Sequence, residues 1–187
     1  MYQTDLVQIF RLPPAGTLSP LLLALFMAVG DWRTRRIPNY LTFGGALAGL
    51  VFQTATLGWS GFAQATLGWF LGLALLLLPF IYGGMGAGDV KALAALGAWV
   101  GPKGIFSVFC YMGLAGGILS LGILIWHNVL GKYLRQGWFL FQSLVLCRSQ
   151  KIIFETLTSN SELTAGLPYG VAIALGMAAY VKVGHLF

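Results

Sequence analysis

Gly84-Met85-Gly86-Ala87-Gly88-Asp89-Val90-Lys91 stands between an apolar run from Leu67 to Ile81 and a second from Ala92 to Val100. The octet sets an acid and a base at the mouth of a long apolar segment. A charged carboxylate at bilayer mid-depth costs about 2.5–3.5 kcal/mol on insertion scales, so chains rarely keep one without a use for it. Only two other aspartates exist: Asp5, near the N-terminus, and Asp31, at the end of the first long apolar stretch. Asp31 and Asp89 are therefore the residues that a reading of this chain must explain.

Of 187 residues, 58 % are hydrophobic and 9 % charged, with a mean hydropathy of +0.81. A soluble domain carries about 25 % charged residues, so the composition points to an all-α polytopic membrane protein forming one helical bundle. The net charge of +6 would suggest nucleic acid in a soluble protein. Here the basic residues cluster in short loops between apolar runs, which fits topology determination and anionic lipid headgroups; no nucleic-acid partner is expected. Cys110 and Cys147 show neither metal spacing nor a disulfide framework. The first apolar run leads into a basic loop and further spans, so it reads as a retained helix.

Taken in order, residues 1–16, with Pro13-Pro14, read as an extra-membrane lead-in, and 17–187 as the membrane domain. Six spans are expected, at about 18–32, 38–56, 62–82, 87–100, 105–126 and 167–183. Pro38 starts the second, because proline suits a helix's first turn and disfavours helix in the residue before it. Breaks fall at Gly58 to Gly61 and at Gly101-Pro102-Lys103-Gly104. The fourth span is short for a hydrocarbon core about 30 Å thick and is expected to sit tucked among its neighbours. Residues 127–166 form a basic loop whose apolar patch, Trp138 to Cys147, is too short to span and reads as an interfacial helix.

The loops after spans one and five hold Arg33, Arg35, Arg36, Lys132, Arg135, Arg148 and Lys151. The opposite face holds Arg11, Lys103 and Lys182. This asymmetry places both termini outside and the two basic loops in the cytoplasm. In an up-and-down order, Asp31 leaves span one on the face where Asp89 enters span four, so both carboxylates reach one side at one depth.

Two carboxylates brought close cannot both stay ionised; one holds a proton while the other acts as a base. Such a pair can activate a water and protonate a departing amide nitrogen, as in an aspartic peptidase. Gly86 and Gly88 allow close backbone approach, by a substrate strand or a neighbouring span. Lys91 does not share Asp89's helix face; it can hold a substrate carbonyl or carboxylate, or contact lipid phosphate.

Asp31-Trp-Arg-Thr-Arg-Arg-Ile-Pro-Asn39 and Gly86-Ala-Gly-Asp-Val-Lys91 resemble the two signature stretches of the type IV prepilin peptidases, membrane aspartyl peptidases with a GxGD motif. Pro168-Tyr169-Gly170 and the span after it look like that family's last helix. The resemblance covers about residues 18–183. It implies that Asp31 and Asp89 are the catalytic pair, supported by Pro38, Asn39, Gly86, Gly88 and Lys91. It also implies that the substrate is the basic leader of a prepilin or pseudopilin, cut without cofactor or metal at the cytoplasmic face of the bacterial inner membrane. The larger bifunctional members carry a cysteine-bearing insertion and an N-methyltransferase activity. With no cysteine tetrad, this chain looks like the minimal, peptidase-only form.

Plainer readings compete at each position. Asp31 alone reads as a boundary charge paired with Arg33 or Arg35, and Gly86 and Gly88 read equally as packing glycines. Lys91 reads as a snorkelling lysine, the arginines as a topology signal, and His127 and His185 lack partner ligands. Trp32, Trp59, Trp99 and Trp126 read as interface anchors; Gly113, Gly116 and Gly117 read as packing glycines. A proton- or cation-coupled transporter would want acids nearer mid-membrane and an internal repeat, and neither is present. A non-catalytic pilus or secretion assembly factor would not need the aspartate pair. The glycine-rich approach to Asp89 further suggests that the two aspartates sit apart until substrate binds.

Overall fold

Glycine decides where the long helices of this chain fold back. The computed structural model describes residues 14–34, 37–82, 84–126 and 169–184. They form α1 (Pro14–Thr34), α2 (Asn39–Ile81), α3 (Ala87–Trp126) and α4 (Tyr169–Val183), with no strand among the described residues. Run straight, α2 would be about 64 Å long, twice a bilayer's hydrocarbon thickness. It is broken at Gly58, whose φ of 63° lies in the left-handed region that favours glycine. A Cβ on Gly61 would strike the carbonyl of Gln53. Residues that far apart in a straight helix are separated by about 12 Å, so the limbs 39–57 and 59–81 double back on each other. In the same way α3 breaks at Gly101, with φ 71°, followed by Pro102, into limbs 87–100 and 102–126.

The limbs after the two breaks begin at 59 and 102 rather than at 62 and 105, and α1 begins at Pro14 rather than Leu18. Proline has no backbone N–H to lose in the first turn of a helix. Among the described residues, two helices, Asn39–Ile81 and Ala87–Gly122, are long and apolar enough to cross a membrane. The lead-in residues 1–13, the 127–166 loop with its Trp138–Cys147 helix, and Arg35, Arg36, His127 and His185 lie outside the described residues.

The 87–100 limb is the centre of the bundle: every residue from Ala92 to Ala98 is buried, as expected of a short helix that is apolar all round. Its neighbours reach it through glycine. Gly68 and Gly97 meet backbone to backbone, so that a Cβ on either would collide with the other's carbonyl, and Gly72 lies against Ala94. Without a hydrophobic force between helices in lipid, such close backbone contact is what holds them. The 102–126 limb runs antiparallel to α4, with Gly176 against Met112 and Gly116 facing Ala172. Gly113 and Gly117, expected to pack as well, have no described atom near them; they lie off the α4-facing side of the limb.

Trp99 is a correction. It stands at a helix end like an interface anchor, but it turns inward and donates Nε1–H to the Gly45 carbonyl at 2.8 Å. Its own carbonyl accepts Gln53 Nε2 at 2.7 Å. A helix ending ahead of a proline leaves its last carbonyls without intrahelical donors, and Gln53 supplies one. Gln53→Leu is therefore expected to cost about 1–3 kcal/mol, read as a lower midpoint in thermal unfolding of the detergent-solubilised protein.

Candidate active site

The buried face of α1 carries Pro20, Ala24, Met27, Ala28 and Asp31, a spacing of four, three, one and three that keeps one side of a helix. Asp31 continues that stripe, which turns its carboxyl into the bundle, while Trp32, Arg33 and Thr34 are exposed. Asp89 comes from the first turn of α3. Both acids are buried, at 9 % and 7 % exposure. Each lies at the same end of the bundle, within electrostatic range of the other.

Backbone amides hold the two carboxylates. Asp31 Oδ2 accepts the N–H of Gly170, in the first turn of α4, at 2.8 Å. Asp89 Oδ2 accepts the N–H of Gly86 at 3.2 Å, reaching back to the residue that precedes its own helix as the acid of a capping box does. Among the described residues, no direct hydrogen bond joins the two carboxylates and no ion pair neutralises either. The plainer reading of Asp31 as the partner of Arg33 has no such contact behind it.

The other residues singled out in the sequence knit the two motifs together. Pro38 is extended (φ −63°, ψ 135°), and its carbonyl receives the N–H of Leu41 at 3.1 Å, which starts α2. A Cβ on Gly88 would stand 3.4 Å from Ile37 Cβ, so the residue between the motifs packs onto the start of α3. Lys91 Nζ donates to Asn39 Oδ1 at 3.2 Å and lies 5.4 Å from the centre of the Phe43 ring, turned away from Asp89. Beside it is a cleft of about 140 Å³ lined by Thr42, Phe43, Trp69, Leu73, Lys91 and Ala94. Among the described residues no three His, Cys, Asp or Glu side chains gather as metal ligands would.

Sequence reasoning missed the part played by the start of α4. Tyr169 lies within electrostatic range of Asp89, and a Cβ on Gly170 would come within 2.8 Å of Asp31 Cβ. The local pattern marks a helix start there, and nothing in it says which distant carboxylate the glycine meets.

A prepilin leader peptidase/N-methyltransferase of Aeromonas salmonicida (strain A449) is 32 % identical to this chain over 126 residues, 62 % of the chain and 43 % of the relative. A protein of the same name from Aeromonas hydrophila is 31 % identical over 126 residues, with the same coverage. The chain thus spans less than half the length of these curated relatives. No solved structure matches it. The model of the type IV leader peptidase family matches residues 18–121, a stretch that contains both aspartates, Gly86 to Lys91 and the whole of α2. On that match, the chain belongs to the type IV leader peptidase family.

Proposed function

We propose that this protein is a membrane aspartyl endopeptidase that removes the basic leader of type IV prepilins or prepilin-like proteins. The observation that carries the reading is the pair of buried carboxylates, from separate helices, each held by a backbone amide and free of any described ion pair. Structural acids in apolar surroundings are usually neutralised by a partner; among the described residues these two keep one oxygen each without a hydrogen bond.

In the proposed reaction the ionised aspartate takes a proton from water as the water oxygen bonds to the scissile carbonyl carbon. The protonated aspartate gives its proton to the carbonyl oxygen, forming a gem-diol. As the diol collapses, the first aspartate passes its new proton to the amide nitrogen. The second recovers a proton from a diol hydroxyl, and the C–N bond breaks. Acid and amine leave, and the pair returns to its starting state. Pro38, Asn39, Gly86, Gly88 and Lys91 bind the substrate or support the approach to this pair.

Six spans, an active end facing the cytoplasm and an inner-membrane location complete the proposal, supported by the excess of basic residues in the loops after spans one and five. Purified protein reconstituted in vesicles with a prepilin is the test. One new N-terminus, after a basic leader, is the expected product. Vesicles that cut no prepilin but take up protons or cations would favour the transporter instead.

A further inference from the structure

We infer that the N-terminus of α4, through the Gly170 amide, makes Asp31 the charged base of the pair and leaves the shared proton on Asp89. This rests on the reading above that the two aspartates work as a pair, and it assigns their roles.

Burial does not separate the two acids, since both are almost fully enclosed. Hydrogen bonding does. The donor to Asp31 is one of the first four N–H groups of a helix, which have no acceptor within it and sit at its positive end. At 2.8 Å the bond is shorter than the 3.2 Å bond to Asp89, and bonds shorten when the carboxylate that accepts them is charged. Asp89 is also at a helix N-terminus, but the donor it meets is its own segment's.

Among the described residues, the charged and titratable groups near the pair do not reverse the assignment. α3 brings Lys91, which is bonded to Asn39 rather than to either acid. From α4 comes Tyr169, within electrostatic range of Asp89. Arg33 of α1 is exposed too. Repulsion between the acids puts one proton on the pair, and the better-held anion is Asp31. Asp89 Oδ1 makes no hydrogen bond among the described residues, so a proton there is free to be given to substrate.

Gly170 is thus a positioning residue, and its effect shows in pH dependence. A side chain at position 170 must push Asp31 off the amide, because its Cβ would lie 2.9 Å from Asp31 Oδ2. In Gly170→Ala the acid limb of the kcat/KM–pH profile is expected to move up by about one pH unit or more. Gly116→Ala, whose Cβ would make an ordinary 3.6 Å contact with Ala172 of the same α4, is expected to leave the limb in place. A Gly170→Ala profile that merely falls in height would overturn the inference. A second measurement needs neither activity nor a variant of Gly170. Carboxyl-labelled aspartate gives three carbon-13 signals in this chain, from Asp5, Asp31 and Asp89, assigned with Asp31→Asn and Asp89→Asn. Asp31 is expected to ionise at the lower pH of the pair, and ionisation of Asp89 first would overturn the assignment whether or not the protein cuts prepilins.

Discussion

Asp89→Asn is expected to reduce leader cleavage on the order of 10⁴-fold while the protein still inserts and folds. Asparagine has nearly the shape of aspartate and its amide oxygen can still accept the Gly86 N–H, so the start of α3 keeps its cap. What is lost is the proton that the pair must give to the carbonyl oxygen. Losses of this size follow removal of a group that works only as part of a unit. A structural acid would behave differently. Its replacement by a neutral isostere in an apolar setting removes a desolvation burden and would leave function intact. Rates of prepilin cleavage by purified protein, with melting temperature measured alongside, separate the two cases.

Gly97→Leu is expected to leave no folded bundle. The backbones of Gly68 and Gly97 touch, so the first side-chain atom at position 97 would already overlap the Gly68 carbonyl. The obstacle is helix backbone rather than the tip of a flexible side chain, and it cannot swing aside. Ordinary overpacking costs about 1–3 kcal/mol; separating two helices along the centre of the bundle removes their neighbouring contacts as well, Gly72 against Ala94 among them. The variant is expected to be degraded in cells or to aggregate in detergent, as shown by size-exclusion chromatography. Gly113→Ala, whose Cβ would have no described atom within 4 Å, should behave as wild type.

Much of this arrangement could be read from the chain itself, for local reasons. Gly58 and Gly101-Pro102 break helices by their own backbone preferences, so the two places where the chain turns could be read from local sequence. Asp31 and Asp89 stand out because acids are so scarce in an apolar chain, and alternation of spans sends both to one end. The burial of the 87–100 limb followed from its length. The contacts that hold the site did not announce themselves. Gly170 meets Asp31 across 139 positions of sequence, and a glycine at a helix start looks the same whatever lies opposite. Trp99 looked like a membrane anchor because position along a span says nothing about which way an indole turns. The crossing of Gly68 with Gly97 is likewise a choice among many glycines, made only by the packing.

The most direct test of the two-aspartate device is a double-mutant cycle on cleavage rate, with wild type, Asp31→Asn, Asp89→Asn and the double variant compared under single-turnover conditions. Groups that act as one unit give losses that do not multiply. The expected result is that each single variant loses nearly as much as the double. Losses that multiply, or a single variant that keeps most of its activity, would contradict a shared water-activating pair.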